Sequence, residues 1–467
     1  MVTRAKCLLV GGTASNAGKS WTATAICRYL RRRSVRVAPF KAQNMSLNSF
    51  PCRDGGEIGR AQVAQAEACG LEPVSGMNPI LLKPNSSAGS QVVVDGKVWR
   101  NLSAREYYEH FDFLLGRVLD AYDRLASEYE YIVIEGAGSI AEINLRRTDL
   151  VNMGLATRIN APVLLVADID RGGVFSSIIG TFCLLPAEEA NLVRSFAVNR
   201  FRGDASLFTN GVDLLEKRTA RKCLGVFPHT SEIQLDAEDS VCLEESIPEP
   251  EANIAIVNFP RVSNFTDFQR LHAAWITAPV NRQFDFVILP GSKNTIGDLA
   301  WMRSQGLDEW VLRQHAAGAT VIGICGGYQM LGTRIDDPEA VESPEARSAE
   351  GLGLLPVATA LRGEKATRVV SAATPHGARF EAYEIHMGKT ERPSAPPFAM
   401  LADGPEGIRH NRCIGTYLHG ALESDAVIEE LFGFIPPPRP SKEQMYDRLA
   451  DWFERHADLR AFEELYL

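Results

Sequence analysis

Short, mostly apolar runs recur along the chain, and several of them end in a polar or acidic residue. In the first half these runs cover residues 7–10, 35–40, 131–135, 162–168 and 195–199. In the second half they cover residues 254–257, 286–289, 321–324 and 413–418. Buried parallel strands have near-continuous apolar sequences of this kind, with polar functional groups at their carboxyl ends. The pattern therefore predicts two sheets, one in each half of the chain.

Helical segments lie between the predicted strands. The pattern predicts a helix with a basic C-terminal end over residues 20–33 and a longer helix over residues 104–127. Strands that alternate with helices are typical of a doubly wound sheet. We therefore expect two doubly wound α/β domains, with exposed loops at residues 343–349 and 393–397.

An acidic segment that contains prolines separates the two series of strands, between about residues 233 and 252. Segments of this composition are typical of linkers and domain edges. The expected domains are residues 1–235 and residues 253–435, joined by a linker over residues 236–252 and followed by a helical tail over residues 436–467.

Composition disfavours several classes of protein. The net charge of −9 gives no general electrostatic basis for binding nucleic acid or an anionic membrane. The nine cysteines form neither C-x-x-C pairs nor a zinc-ligand spacing, which fits reduced thiols in a cytosol. The sequence shows no signal-peptide core and no stretch as long as a membrane span. We expect a cytoplasmic globular protein.

A glycine-rich loop follows the first predicted strand and ends in Gly18-Lys19-Ser20. In phosphate-binding loops, backbone N–H groups and a lysine hold the phosphates, and a hydroxyl binds magnesium. The spacing is one residue longer than usual, because Thr13 lies five residues before Gly18 and the glycine is Gly12. A turn that only caps the helix is the alternative. We expect these five residues to bind a nucleotide, with ATP and Mg²⁺ as the ligands.

Acidic residues at predicted strand ends are the other candidates in the first half. Glu135 opens Glu-Gly-Ala-Gly-Ser, and Asp168 and Asp170 open Asp-Ile-Asp-Arg-Gly-Gly. We expect Glu135 and Asp168 to bind Mg²⁺ together with Ser20, because ligands bind beyond the carboxyl ends of such strands. Lys41 and Asp170 are candidates for contact with an anionic substrate or the transferred phosphate. Helix caps and solvated surface groups are the alternatives.

Cys325 lies in Gly-Ile-Cys-Gly-Gly, directly after a predicted strand. Flanking glycines permit the sharp turn that exposes a nucleophile, although a lone cysteine can also be an inert buried thiol. A thiol nucleophile needs a base, and the candidates are His272, His315, His376, His386, His410 and His419. His419 is favoured by its position just past a strand, and His386 stays open. The N–H groups of Gly326 and Gly291 are the expected oxyanion donors.

The motifs of the second half resemble the class I glutamine amidotransferases. The resemblance rests on the elbow of Cys325, on Pro-Gly-Ser at residues 290–292 and on Tyr-Leu-His-Gly at residues 417–420. In that family the cysteine attacks the glutamine amide, a histidine acts as acid and base, and ammonia is released. The resemblance gives these roles to Cys325 and His419. Ala421 stands where the usual glutamate would be, which implies a dyad rather than a triad.

Longer motifs across nearly the whole chain are similar to the cobyric acid synthase family. They cover residues 39–49, 78–84, 168–175, 263–268, 289–295 and 325–332. The spacing of the phosphate loop resembles the dethiobiotin synthetase group. The resemblance implies ATP-dependent amidation of the b, d, e and g carboxylates of adenosylcobyrinic acid a,c-diamide, with ammonia from L-glutamine. The product would be adenosylcobyric acid, in cobalamin biosynthesis.

Two rival functions have sequence features against them. Cobyrinic acid a,c-diamide synthase shares both domain types but acts on an earlier corrinoid, and the motifs at residues 39–46 and 168–173 disfavour it. A nucleotide-dependent switch or partitioning ATPase could carry an inactive glutaminase-like domain. The intact Cys325 and His419 disfavour that function.

Overall fold

The computed structural model describes residues 4–85, 89–233, 235, 252–342 and 345–467. The linker expected over residues 236–252 lies outside the described residues, apart from Ala252. Within the described ranges, no helix combines the length and the apolar composition that crossing a bilayer requires.

Six parallel strands form the sheet of the first half. Their spatial order is β12 (Lys222–Pro228), β11 (Val193–Phe201), β10 (Val163–Asp168), β1 (Lys6–Gly12), β9 (Tyr131–Glu135) and β2 (Val37–Phe40). The register pairs Gly12 with Val166 and Val10 with Glu135. The phosphate loop and the strand-end acids therefore lie at the same edge of the sheet, where ligands of such folds bind.

Helices pack on both faces of this sheet, as expected for a doubly wound domain. They are α1 (Lys19–Arg32), α2 (Arg60–Cys69), α3 (Ala104–Glu109), α4 (Phe111–Glu128), α5 (Met153–Ile159), α6 (Val174–Leu184), α7 (Ala187–Leu192) and α8 (Thr209–Thr219). The single helix expected over residues 104–127 is wrong, because it is broken into α3 and α4 at His110. At the break, the ring of His110 packs edge-on against Trp99, and Phe113 stacks on the same indole.

The second half contains another six-stranded sheet. Its spatial order is β15 (Ala273–Ile276), β13 (Ile254–Val257), β16 (Phe286–Leu289), β18 (Thr320–Ile324), β26 (Cys413–Thr416) and β25 (Ile408–His410). The strands are parallel except for the β25–β26 pair. Its helices are α9 (Thr295–Ser304), α10 (Leu307–Ala316), α11 (Gly326–Leu331) and α12 (Asp425–Phe432). The expectation of two α/β domains is confirmed.

Two smaller sheets were not predicted from the sequence. One belongs to the first half and contains β3 (Gln43–Met45), β6 (Ile80–Pro84), β7 (Gly89–Val94) and β8 (Lys97–Ser103). The other belongs to the second half and contains β19 (Arg334–Asp337), β20 (Arg347–Glu350), β21 (Ala358–Ala373), β22 (Arg379–Thr390), β23 (Ala399–Leu401) and β24 (Gly404–Glu406). Two short antiparallel pairs complete the strands: β4 (Ser49–Pro51) with β5 (Glu57–Gly59), and β14 (Val262–Ser263) with β17 (Gly291–Ser292).

One of the two expected loops is partly replaced by a strand. The expectation of a loop over residues 343–349 is wrong at residues 347–349, because these belong to β20, which pairs with β19. Residues 343–344 lie outside the described residues, and residues 393–397 belong to no helix or strand, as expected.

The last two helices, α13 (Lys442–His456) and α14 (Leu459–Tyr466), pack against the first half although they follow the second half in sequence. The ring of Tyr29 on α1 lies 5.6 Å from that of Phe453 and 5.7 Å from that of Phe462, between ring centroids. At the rim of this contact, Arg28 forms ion pairs of 2.8 Å with Glu443 and Asp447. The C-terminal segment therefore completes one face of the first half.

We predict that Phe453→Ala lowers the free energy of unfolding by about 3–5 kcal/mol, because the ring is fully buried among aromatic neighbours. The matched control is Phe434→Ala, since that ring is 38% exposed and should cost far less. Urea denaturation of both variants measures the difference. Equal stability of the two variants would contradict a packed role for the C-terminal helices.

Candidate active site

Cys325 lies on a strained turn between β18 and α11, with φ 52° and ψ −107°. A non-glycine residue rarely has a positive φ, and such strain is typical of functional sites. The turn also presses against β16, because a Cβ on Gly327 would lie 1.9 Å from the carbonyl oxygen of Leu289. The sequence-predicted elbow is confirmed, and it holds the thiol at the carboxyl end of the sheet.

His419 follows β26 and is buried beside Cys325. Its Nδ1 lies 2.7 Å from Oδ2 of Asp267, and Oδ1 of Asp267 accepts a hydrogen bond of 2.9 Å from the N–H of Gly420. Burial acts to lower the pKa of His419, but the Asp267 carboxylate and the Cys325 thiol outweigh burial and raise this pKa to about 10. These contacts favour an imidazolium beside the thiol, as an activated thiolate requires.

The buried acid beside His419 corrects the expectation of a dyad. Asp267 belongs to a short 3₁₀ helix, Phe265–Phe268, which precedes His419 by 152 residues along the chain. The carboxylate of Asp267 lies where the acid of a catalytic triad would lie. Ala421, at the position of the usual glutamate, has no carboxylate. The motif at residues 263–268 contained this residue, but nothing in a single sequence pairs an acid with a histidine so far away.

His386, the competing base, has other contacts. Its ring stacks on Tyr417 at 3.8 Å between centroids, and its Nδ1 lies 2.8 Å from the carbonyl oxygen of Gly388. Its Nε2 lies 3.6 Å from Oε1 of Glu384. His386 lines the cavity in front of Cys325, whereas His419 alone combines contact with the thiol and a buried acid. The geometry therefore favours His419 as the base.

Both predicted oxyanion donors lie next to Cys325 or His419. Gly326 is the first residue of α11, where backbone N–H groups have no acceptor within the helix. Gly291 lies on β17, and a Cβ there would lie 3.2 Å from Cε1 of His419. A Cβ on Gly326 would lie 2.7 Å from the backbone nitrogen of Ser292. Their role as oxyanion donors stays a prediction.

The glycine-rich loop of the first half closes around Lys19. The ammonium of Lys19 donates to the carbonyl oxygens of Ala14 and Gly138, at 2.8 and 2.9 Å. Gly18, with φ 103°, precedes the first turn of α1, and a Cβ on Gly12 would lie 2.9 Å from Cδ of Lys19. The backbone of the adjacent Thr13 donates to the carbonyl oxygen of Val166 on β10. A lysine at a helix N-terminus inside a glycine cradle fits a phosphate group.

Glu135 at the end of β9 is fully buried and connects several predicted residues. Its Oε1 accepts hydrogen bonds from the Ser20 hydroxyl at 2.8 Å and from the Lys41 ammonium at 2.9 Å. Its Oε2 accepts from the side-chain amides of Gln62 and Gln65 on α2. The structure therefore brings the predicted metal ligands Ser20 and Glu135 together. It also adds two glutamines, Gln62 and Gln65, that no sequence motif marks.

Asp168 and Asp170 are paired with arginines at the end of β10. Oδ2 of Asp168 lies 3.1 Å from Nη1 of Arg200, and its Oδ1 accepts a bond of 2.7 Å from the backbone of Asp170. Asp170 receives two hydrogen bonds from Arg202, which lower the pKa of its carboxyl. In the described parts of the chain no three His, Cys, Asp or Glu side chains gather as a metal site. The assignment of Asp168 to Mg²⁺ and of Asp170 to substrate stays a prediction.

The two sites are physically linked. Oδ1 of Asn48 accepts a hydrogen bond of 3.1 Å from the backbone of Phe265, and Oδ1 of Asn264 accepts one of 3.1 Å from the backbone of Ser49. All four groups are buried at the boundary between the halves. The turn that carries Asp267 is therefore held in place by the nucleotide-binding half.

Comparisons with known proteins match each half of the chain to a different domain family. Residues 8–241 match the CobQ/CobB/MinD/ParA nucleotide binding domain, and residues 253–427 match the CobB/CobQ-like glutamine amidotransferase domain. The chain is 43% identical to a cobyric acid synthase of Dehalococcoides mccartyi, over 97% of this chain and 94% of that protein.

Two further cobyric acid synthases show comparable similarity. The protein of Parabacteroides distasonis is 44% identical over 96% of both chains. That of Vibrio parahaemolyticus is 41% identical over 97% of this chain and 98% of its own. Among solved structures, a glutamine amidotransferase matches 39% of this chain and 99% of its own, with 17% identity and a TM-score of 0.31.

We predict that Asp267→Asn lowers glutamine hydrolysis by between about a hundredfold and ten-thousandfold, because an amide cannot stabilise the imidazolium form of His419. Synthesis driven by added ammonia should be nearly unchanged. The exposed Asp285→Asn, in the same half, is the matched control. Glutaminase rates of the folded variants measure the effect, and a wild-type rate for Asp267→Asn would show that the pair is only structural.

Proposed function

The chain belongs to the cobyric acid synthase family, and we propose that it uses ATP and L-glutamine to amidate a corrinoid. As a family member it is an amide ligase of cobalamin biosynthesis. The proposed substrate is adenosylcobyrinic acid a,c-diamide, amidated at its b, d, e and g carboxylates to adenosylcobyric acid. One observation carries the proposal: a buried Cys325–His419–Asp267 arrangement and a phosphate-binding loop occur in one chain and are connected by buried hydrogen bonds.

In the proposed glutaminase reaction, Asp267 holds Nδ1–H of His419, so that Nε2 takes the proton of Cys325. The thiolate attacks the side-chain carbonyl carbon of glutamine, and the N–H groups of Gly326 and Gly291 stabilise the oxyanion. His419 then returns the proton to the leaving nitrogen, which departs as ammonia. Water hydrolyses the remaining thioester, with His419 again as base, and glutamate is released.

In the proposed synthetase reaction, a corrinoid carboxylate attacks the terminal phosphorus of ATP, which forms an acyl phosphate and releases ADP; this activation is needed because a free carboxylate is a poor electrophile. Ammonia then attacks the carbonyl carbon of the acyl phosphate, phosphate leaves, and the nitrogen loses a proton to give the amide. Lys19 is placed to neutralise charge on the phosphates during transfer. Gly12, Thr13, Gly18 and Ser20 complete the nucleotide cradle.

The residues near Lys19 also fit a magnesium ion. The hydroxyl of Ser20 and the carboxylate of Glu135 are hard oxygen donors in mutual contact, and Mg²⁺ needs few protein ligands when it also binds phosphates. Ser20, Glu135 and Asp168 would hold the ion, which would supply charge neutralisation at the phosphates. Lys41 and Asp170 would contact the anionic substrate or the transferred phosphate.

Mass spectrometry of the corrinoid product tests the proposal. The protein is incubated with adenosylcobyrinic acid a,c-diamide, ATP, magnesium and glutamine. Four successive mass decreases of one unit, each corresponding to replacement of a hydroxyl by an amino group, are expected for four amidations. Amidation of cobyrinic acid itself, with no change in the diamide, would indicate the earlier enzyme. A nucleotide switch would leave both compounds unchanged.

Cys325→Ala and Lys19→Ala should separate the two half-reactions. Cys325→Ala should lose glutamine-dependent synthesis but keep synthesis with ammonium salts at alkaline pH. In Lys19→Ala the rate of synthesis with either nitrogen source should fall by about a thousandfold or more, because a phosphate contact in the transition state is removed. Ammonia-driven synthesis at the wild-type rate in Lys19→Ala would contradict the phosphate loop.

His419→Ala should behave like the cysteine variant, and His386→Ala should retain glutaminase activity.

Asp168→Asn and Asp170→Asn should lower synthesis equally with ammonia and with glutamine, while basal glutaminase turnover persists. The expectation follows from their position at the end of β10, beside the strand that leads into the phosphate loop. Asp213→Asn on α8 is a matched control away from this edge. A variant that remains fully active but loses about 1 kcal/mol of stability would identify a helix cap or turn instead.

A further inference from the structure

The cavity in front of Cys325 contains three lysines, from both halves of the chain. Lys293 and Lys365 come from the second half, and Lys83 comes from β6 of the first half. The side chains of Lys83 and Lys365 are 5% and 11% exposed, and Lys293 is 8% exposed as a whole residue. Buried ammonium groups are costly unless anions compensate them, so their partners decide what the cavity can bind.

Two of these lysines share one carboxylate. Glu57 lies 2.9 Å from the ammonium of Lys83 and also forms an ion pair with Lys365 across the boundary between the halves. The resulting charges hold the pKa of Glu57 well below its usual range even though burial acts to raise it. Glu57 is therefore ionised, and its single negative charge balances the positive charge of only one of the two lysines.

Lys293 has only a neutral partner among the residues that the structure describes. Its ammonium donates to Oε1 of Gln91, a residue of the first half, at 3.0 Å. Glu342 also lines the cavity, but its carboxylate accepts from the backbone of Thr295 at 2.8 Å and forms no ion pair within 4.0 Å with Lys293 in the described ranges.

The cavity is therefore deficient in negative charge. Three ammonium groups face two carboxylates, those of Glu57 and Glu342. Burial raises the pKa of Glu342 to about 7 and lowers the pKa values of Lys293 to about 8 and of Lys365 to about 7. Glu342 and Lys365 are therefore each partly charged near neutral pH, and the ammonium groups of Lys83 and Lys293 against the carboxylate of Glu57 leave a positive excess. His386 also lines the cavity, and its Nε2 lies 3.6 Å from the carboxylate of Glu384. Because Glu384 is not among the residues that line the cavity, this pair adds no negative charge there.

An acceptor lies on the same wall as the thiol. Oε1 of Gln329, on α11 just after Cys325, is buried and has no hydrogen-bond partner among the described residues. A ligand that brings one anion and one cationic donor would satisfy both Lys293 and Gln329. The α-carboxylate and α-ammonium of an amino acid have that combination, and the side-chain amide would then lie toward Cys325.

We propose that Lys293 binds the α-carboxylate of glutamine, in a subsite whose positive potential is increased by Lys365 and Lys83. This inference rests on the proposed glutaminase activity and names the group that recognises its substrate. Because Gln91 orients Lys293 and Lys83 lines the cavity, the glutamine site is shared between the two halves. Lys293 is a binding residue here and takes no part in proton transfer.

The test compares glutamine with 4-aminobutanamide, which keeps the amide and the amino group and lacks the α-carboxylate. For Lys293→Met we expect kcat/KM with glutamine to fall by about 10- to 100-fold, mainly through KM, because one charge-assisted hydrogen bond is lost. With 4-aminobutanamide the same variant should change by less than about threefold. The wild-type preference for glutamine should thus collapse in the variant.

Three controls complete the experiment. Lys389→Met removes an exposed lysine, paired with Glu364 in the same half, and should leave the preference intact. Lys293→Gln keeps a neutral donor for Gln91 and should show the same selective loss even if the methionine variant folds poorly. Ammonia-driven amidation should be unchanged in each, which verifies the fold of the synthetase site.

The possible outcomes distinguish the subsite from the proposed function. Equal losses with both amides in Lys293→Met and Lys293→Gln would make Lys293 a structural link to Gln91 and overturn the proposal. An unchanged KM for glutamine would overturn it as well. In both cases the wild-type glutaminase activity would still support the proposed function. Absence of glutamine hydrolysis in the wild-type protein would overturn both.

Discussion

The buried ion pair of Asp267 and His419 is the interaction on which the glutamine-hydrolysing site depends. It sets which ring nitrogen faces Cys325, and with the thiol it raises the pKa of the imidazole against the effect of burial. Removing one partner of such a pair leaves an uncompensated buried charge, which typically costs about 3–5 kcal/mol. Its acid belongs to a short 3₁₀ helix whose Phe265 and Phe268 are buried in the core of the second half. The reciprocal hydrogen bonds with Asn48 and Ser49 also connect the start of this helix to the first half.

The boundary between the halves is therefore part of the chemistry and not only a packing surface. Polar contacts cross it at Glu57, whose carboxylate pairs with Lys365, and at Arg60, which pairs with Glu423. The same arginine lies over the ring of Tyr383, and that ring stacks on His419. Side chains of the nucleotide-binding half thus contact two of the elements that surround the imidazole, the ring of Tyr383 and the 3₁₀ helix of Asp267. A shift of that half relative to its neighbour would alter both the acid and the ring that pack against the base.

The sequence predicts the main elements of this molecule well where the physical signal is local. The buried central strands are continuous apolar runs, and β9 and β16 occur at the predicted residues. The elbow at Cys325 and the loop at Lys19 could be found because glycines mark both. The break at His110 could not, because neither a proline nor a glycine marks that position. The smaller sheets were missed because their strands are short or rich in polar residues.

The residues of the candidate site that the sequence did not predict share one property. Asp267 and Gln65 each lie on one element and act on a side chain from another, so no spacing along the chain records the contact. The charge imbalance around Lys293 likewise exists only after β6, β7 and the second half have come together. Single residues with reactive groups can be read from a sequence, whereas the groups that orient them require the fold.

The position of α13 and α14 has a consequence for how the protein is made. These helices cover Tyr29 and Phe227 of the first half, yet they are translated after the whole second half. During synthesis, the aromatic surface that these helices cover therefore remains exposed to water until the whole amidotransferase half has been translated. Chains in that condition are prone to aggregate. Nascent chains that have not reached residue 466 should therefore depend on chaperones more than a protein with two contiguous domains would.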